Sequence, residues 1–108
     1  MDRLTQLLWN ETSIWPWNLQ NQGPDVHRIK ISNKKFHLEV RVYSTRLEIE
    51  RLIIPSRYRG RKLGTAIVTA LKKFADEQKL NTQVNYPLAQ SVKFWEKMRV
   101  EKNILVYG

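Results

Sequence analysis

The chain has 108 residues, of which 42% are apolar and 27% charged, the composition of one ordinary globular domain. With no cysteine and only His27 and His37 as histidines, it excludes disulfides, thiolate metal sites and cysteine nucleophiles, and it shows no metal-ligand spacing. Nineteen Lys and Arg against ten Asp and Glu give a formal charge of +9, which predicts a polyanionic partner such as nucleic acid, an acidic protein or a phosphorylated cofactor.

Residues 1–108 read as a single domain whose first 25 residues differ from the rest. No long apolar run follows Met1, so neither a secretory signal nor a membrane span is expected, and the expected location is cytoplasmic. Leu4, Leu7 and Leu8 have helical spacing and predict a short amphipathic helix over residues 3–10. Trp9, Trp15 and Trp17 follow, with Pro16 among them. They suit either a partner-binding surface or a cap on an open core. Asn21-Gln22-Gly23-Pro24-Asp25 is a loop signal.

From Val26 the pattern becomes that of strands. Val26 to Ile31 predicts a short strand, and Ser32-Asn33-Lys34-Lys35 a turn. Phe36, Leu38, Val40 and Val42 alternate with His37, Glu39, Arg41 and Tyr43, the period of a half-buried antiparallel strand. After a turn at Ser44-Thr45, Leu47 and Ile49 alternate with Glu48 and Glu50. At Leu52-Ile53-Ile54 the alternation breaks into a continuous apolar run, compatible with a bulge or with burial on both faces. Pro55 ends the strand. Leu63, Ala66, Ile67, Ala70, Leu71 and Phe74 define a helix over residues 62–79. Thr82 to Tyr86 reads as a strand, Gln90 to Met98 as a second helix, and Asn103 to Tyr107 as a last strand. The predicted order is helix, three strands, long helix, strand, short helix, strand. That is an α/β fold on a mixed sheet, antiparallel first and then closed by a strand–helix–strand crossover.

The segment Leu52 to Ala66 carries the chemistry. A strand ends, a basic loop with Arg57, Arg59, Arg61 and Lys62 follows, and a helix begins. Unpaired amides at a helix N-terminus attract anions, and arginines add forked hydrogen bonds to phosphate. Gly60 and Gly64 remove side chains where a ligand or another backbone comes close. The pattern is neither a Walker loop nor a dinucleotide fingerprint. The plain alternative is a basic surface loop with a turn glycine.

Tyr58-Arg59-Gly60-Arg61-Lys62-Leu63-Gly64 resembles the acetyl-CoA loop of the GCN5-related N-acetyltransferases, Arg/Gln-x-x-Gly-x-Gly/Ala, with Arg59 at its first position and Gly64 at its last. Downstream, Phe94-Trp95-Glu96-Lys97-Met98-Arg99-Val100 is similar to that family's Phe-Tyr-Glu-Lys-x-Gly-Phe helix. The likeness covers about residues 36–108, and the N-terminal quarter is shorter than the family's two-helix segment. Lys62 stands where the first loop glycine belongs. Trp95 replaces a tyrosine that often protonates the leaving thiolate, and an indole cannot do so at neutral pH. One extra residue lies between Pro55 and Arg59.

The resemblance implies an acetyl-CoA-dependent transfer of an acyl group to a primary amine. Backbone of Leu52, Ile53 and Ile54 would hold the acyl and pantetheine portion. Arg59, Gly60, Arg61, Lys62, Leu63, Gly64 and Thr65 would hold the diphosphate, with Phe94 also on the cofactor side. Glu48 or Glu50 would act as base, with Glu48 the better match by position. The competing reading makes both carboxylates salt-bridge partners of Arg41 or Arg46. Tyr86 or Tyr43 is the candidate substitute acid. The shortened N-terminal region favours either a macromolecular acceptor, protein or aminoacyl-RNA, or a binding role, because small-molecule sites usually need more walls. The alternative function is a weakly catalytic binding protein of the same fold for a protein or nucleic-acid partner. A second copy of the chain is a candidate to complete the substrate site.

Overall fold

The computed structural model describes residues 2–21, 28–33, 36–55, 58 and 62–107. Helix α1 (Asp2–Thr12) leads into β1 (Asn18–Asn21), β2 (Arg28–Asn33), β3 (Phe36–Val42) and β4 (Arg46–Ile53). Helix α2 (Leu63–Glu77) then precedes β5 (Asn81–Asn85), and a 3-10 turn at Ala89–Ser91 opens onto α3 (Val92–Lys102), followed by β6 (Leu105–Tyr107). The six strands form one sheet in sequential order. β1 to β4 pair antiparallel, and β4–β5 and β5–β6 pair parallel. The mixed α/β sheet expected from the sequence is therefore present, with two parallel crossovers where one was expected.

The sheet is buried on one side only. Ile29, Ile31, Leu38, Val40, Leu47 and Ile49 are at most 1% exposed, while their neighbours along each strand are half-buried or exposed. That follows from the period-two sequence pattern, since successive side chains leave opposite faces. The leucine stripe of α1 packs as its spacing predicts, with Leu4 and Leu8 fully buried, and α1 lies along α2. Fully burying each such side chain contributes about 1.5–3 kcal/mol. Ile67, Val68, Leu71 and Met98 complete the same cluster.

One strand and several boundaries differ from the sequence reading. β1, Asn-Leu-Gln-Asn, carries no alternation, and it forms because its backbone pairs with β2 from Asn18↔Ser32 to Asn21↔Ile29. Ser32 and Asn33 extend β2 instead of turning, and buried Asn33 donates its side-chain amide to the Pro16 carbonyl. Helix α3 starts after the 3-10 turn, not at Gln90, and runs four residues past Met98. It stops where Asn103 takes a left-handed φ of 58°, a common way to end a helix. The last strand begins at Leu105 rather than Asn103. Of the three N-terminal tryptophans, Trp17 is core, edge-on to Phe36 at 5.9 Å, whereas Trp9 and Trp15 meet at a tilt outside, ring centroids 5.4 Å apart, 50% and 61% exposed. No helix among the described residues is long and apolar enough to cross a membrane.

Candidate functional site

The alternation that breaks near the end of β4 is resolved by a bulge. Val40 pairs with Ile49 and Glu39 with Arg51, so Glu50 is the extra residue on β4. The extra residue resets the alternation. Leu52 then faces Leu38 on the core side, and Ile53 falls opposite His37 on the polar face, 44% exposed. The parallel ladder between β4 and β5 stops at Ile49↔Val84, although β4 continues to Ile53. Residues 51 to 53 therefore pair in the sheet with β3 alone. A gap opens between the ends of two parallel strands, immediately before the basic loop.

Within that loop, Arg59, Gly60 and Arg61 lie outside the described residues. Tyr58 is anchored, its ring 5.1 Å from Phe36 and its amide donating to the Pro55 carbonyl at 2.9 Å. Lys62 is exposed and left-handed, with φ 60° and ψ 21°, and caps α2 without a side-chain hydrogen bond. The first helical bond, from Ala66 N–H to the Lys62 carbonyl at 3.0 Å, leaves the amides of Leu63, Gly64 and Thr65 outside the helix's own ladder. No acidic residue occupies that turn. The positive end of the helix dipole thus meets no resident carboxylate in its own first turn, and a diphosphate fits this end.

Gly64 is buried for a different reason. A Cβ there would stand 3.1 Å from Ile54 Cδ1 and 3.1 and 3.2 Å from Phe94 Cε1 and Cζ. The glycine lets α2 close on β4 and α3. Leu63 and Ile54 are half-buried against the core, and half-buried Thr65 turns its carbonyl to the Thr69 hydroxyl at 2.8 Å. Phe94 meets Trp95 edge-to-face at 5.0 Å, and Trp95 is 5% exposed. The indole that stands in place of a tyrosine is thus a core side chain.

Both candidate carboxylates are ion-paired. Glu48 accepts from Arg46 Nε at 2.9 Å and from Gln83 of β5 at 3.2 Å, and its side chain is 13% exposed. Glu50 pairs with Arg41. Hydrogen bonding to Glu48 holds Arg46 above the usual guanidinium range, and the Tyr43 hydroxyl, followed by the field of Glu50, does the same for Arg41. Tyr86 follows β5, 82% exposed with a φ of 52°. Tyr43 lies at the opposite end of β4, its ring 4.0 Å beneath the Arg46 guanidinium in the β3–β4 turn. The fold therefore separates Tyr43 from the strand gap by several residues, at about 3.3 Å each. Gln83 was not singled out in the sequence. Its only signal was its place between Asn81 and Asn85 on the polar side of β5.

No curated protein matches the chain, and no solved structure does. The sequence model of the acetyltransferase (GNAT) family matches residues 26–99, from β2 through most of α3. That span takes in the bulged strand, the basic loop, the helix it opens and the Phe94 helix, the elements whose geometry forms the site. The chain belongs to the acetyltransferase (GNAT) family.

Proposed function

We propose that this protein is an acetyl-CoA-dependent N-acyltransferase whose acceptor is a primary amine on a macromolecule. The observation that carries the reading is the end of the β4–β5 ladder at Ile49↔Val84, directly before a helix whose first-turn amides lack helical partners. When bound, acetyl-CoA supplies the thioester carbon on which the amine forms its new bond as the C–S bond breaks. The amides of Leu63, Gly64 and Thr65, with Arg59, Arg61 and Lys62, hold the diphosphate. Backbone of Leu52, Ile53 and Ile54 would hold the acyl and pantetheine portion. Glu48 takes the acceptor's proton, directly or through water. Its place beside Gln83 fixes it at the last paired rungs of β4 and β5. Tyr86, which follows β5 and is exposed, would be the candidate to protonate the leaving thiolate. A polar sheet face with no helix over it among the described residues, together with the +9 charge, favours a large acceptor over an enclosed small molecule.

Acetyl-CoA should raise the melting temperature of the protein, as any ligand does that binds only the folded state. Replacing Arg59 and Arg61 together by Ala should abolish the shift. Thiol release with a lysine-rich peptide then reports turnover. No shift at millimolar acetyl-CoA overturns the reading. A shift without thiol release on any protein acceptor in a cell lysate would leave a binding protein of the same fold.

A further inference from the structure

Three half-buried side chains on the polar face, Glu48, Gln83 and Asn85, form one hydrogen-bonded row at the end of the β4–β5 ladder. Glu48 and Gln83 are register partners, and Asn85 is the first residue of β5 beyond the last pair, Ile49↔Val84. Gln83 Nε2 donates to Glu48 Oε1 at 3.2 Å and to Asn85 Oδ1 at 3.1 Å. Arg46 Nε donates to the same Glu48 oxygen at 2.9 Å.

The carboxylate sets the polarity of the whole row. An ionised carboxylate only accepts hydrogen bonds, so Gln83 must turn its NH2 group toward Glu48. The same nitrogen meets Asn85, which therefore answers with its carbonyl oxygen and keeps its own NH2 group in hand. Among the described residues, Glu48 Oε2, Gln83 Oε1 and Asn85 Nδ2 have no hydrogen-bond partner, and none of the three is sealed from solvent. The row thus offers two free acceptors and, at its gap end, one free donor.

We infer that the acceptor is the α-amino group of a peptide N-terminus, read by Glu48 and Gln83 at its amine and by Asn85 at its first carbonyl. The inference rests on the acyltransferase reading and narrows the acceptor that reading leaves open. The two N–H groups of a neutral amine meet Glu48 Oε2 and Gln83 Oε1, and Asn85 Nδ2 donates to the carbonyl oxygen of the same residue. At a peptide N-terminus one carbon bears both the amine and the carbonyl, so a single residue answers both ends of the row. In lysine the whole aliphatic stem separates the amine from the nearest carbonyl, and Asn85 would be left unmet. An α-amine also titrates at about 7.7–8.0, against about 10.4 for lysine, so far more of it is neutral at pH 7. The amine nitrogen bonds to the thioester carbon as the C–S bond breaks, the bond pair leaves with sulfur as thiolate, and one amine proton passes to Glu48 Oε2.

The surroundings favour a peptide over an aminoacyl-RNA, which carries the same α-amine. Arg41, Arg46 and Arg51, the arginines of β3 and β4, are each paired with a carboxylate, Glu50, Glu48 and Glu39. Nucleic acids draw their affinity from cations free to meet phosphate, and these three are already matched.

Two peptides, each with a single amine, test this: one has a free N-terminus and no lysine, and the other has a blocked N-terminus and one lysine. Thiol release from acetyl-CoA should show kcat/KM at least about tenfold higher for the first, the worth of one well-placed hydrogen bond. Asn85→Asp keeps the contact to Gln83 but cannot donate at neutral pH. It should abolish the preference and leave the acetyl-CoA-induced Tm shift intact. Equal rates with the two peptides overturn the inference and leave the acyltransferase reading standing. A preference that survives Asn85→Asp overturns it as well, as does acetylation of an aminoacyl-RNA and of neither peptide. A Tm shift with acetyl-CoA but no transfer to either peptide overturns this inference alone, whereas no Tm shift overturns the reading beneath it too.

Discussion

A Cβ on Gly64 would meet Phe94 Cε1 at 3.1 Å. These two residues belong to the two segments that carry the family resemblance, and they turn out to be packed on one another. The glycine therefore serves the closure of α2 onto α3 as well as the approach to an anion. Gly64→Ala should destabilise the fold by about 1 kcal/mol, an overpacking cost of about 1–3 kcal/mol less the helix-propensity gain of up to about 1 kcal/mol. Adding Phe94→Leu should recover part of the loss. Urea denaturation of the two single variants and the double variant measures the coupling. Additive losses would mean that Gly64 and Phe94 do not share the space.

Lys62 carries a left-handed backbone, φ 60°, at the position where the family's loop has glycine. A residue with a Cβ loses about 1–2 kcal/mol there, which glycine avoids at some cost in unfolded-state entropy. Lys62→Gly should accordingly stabilise the ligand-free protein by about 0.5–1 kcal/mol, a rise of a few degrees in Tm. The same change removes a cation from the helix terminus, so the Tm increment from acetyl-CoA should shrink. A variant that is more stable alone and less stabilised by cofactor separates backbone strain from phosphate contact. Equal increments in both proteins would show that the lysine side chain does not touch the ligand.

Thr82 is 1% exposed, and its hydroxyl has no hydrogen-bond partner among the described residues. An unmet buried hydroxyl costs about 1–3 kcal/mol, while its methyl group packs like that of valine. Thr82→Val should raise stability by about 1 kcal/mol in urea denaturation and leave the fold unchanged. A loss of stability would show that the hydroxyl is solvated in solution.

The strands and helices with strong periodicity were legible because burial on one face writes itself into the sequence. Phe36 to Val42 and Leu63 to Glu77 are of that kind. β1 was not legible, since Asn18, Gln20 and Asn21 gain their strand conformation from β2 and carry no pattern of their own. The bulge was legible as a break in alternation, and its position at Glu50 was not, because only the pairing to Glu39 and Val40 fixes which residue is extra. The ion pairs of Glu48 with Arg46 and Glu50 with Arg41 were foreseen as the competing reading. Gln83 reaches Glu48 across a parallel pairing of strands 35 residues apart, which no local spacing could reveal.

Arg3 and Glu77 join the start of α1 to the end of α2 through Nε–Oε1 and Nη2–Oε2 contacts of 2.9 and 2.6 Å. The hydrogen bond from Arg3 lowers the Glu77 carboxyl below its ordinary 4.5. A carboxylate depressed in the folded state contributes stability above its unfolded value, and the contribution is lost as pH falls through the folded value. The pair is exposed, so its effect should be small and salt-sensitive. Wild type and Glu77→Gln should differ in Tm at pH 6 to 7 and converge as the pH falls below 4. A constant difference down to pH 3 would assign the effect to something other than the ion pair.

Glu48 is the base in the proposed mechanism, although Arg46 and Gln83 already occupy part of its hydrogen-bonding capacity. The acceptor amine, or a water before it, must use the remaining lone pairs on the polar face. Glu48→Gln keeps the shape and the contact to Gln83 but cannot accept a proton. It should lower kcat about 10²–10⁴-fold, the usual contribution of a positioned base, and leave the acetyl-CoA-induced Tm shift intact. Glu50→Gln, at the bulge and tied to Arg41, should change kcat far less. Raising the pH should partly restore Glu48→Gln, because more of the acceptor amine is then neutral without help. If Glu50→Gln loses turnover and Glu48→Gln does not, the bulge residue is the base. Equal and small losses in both would leave the amine to be deprotonated by solvent before it binds.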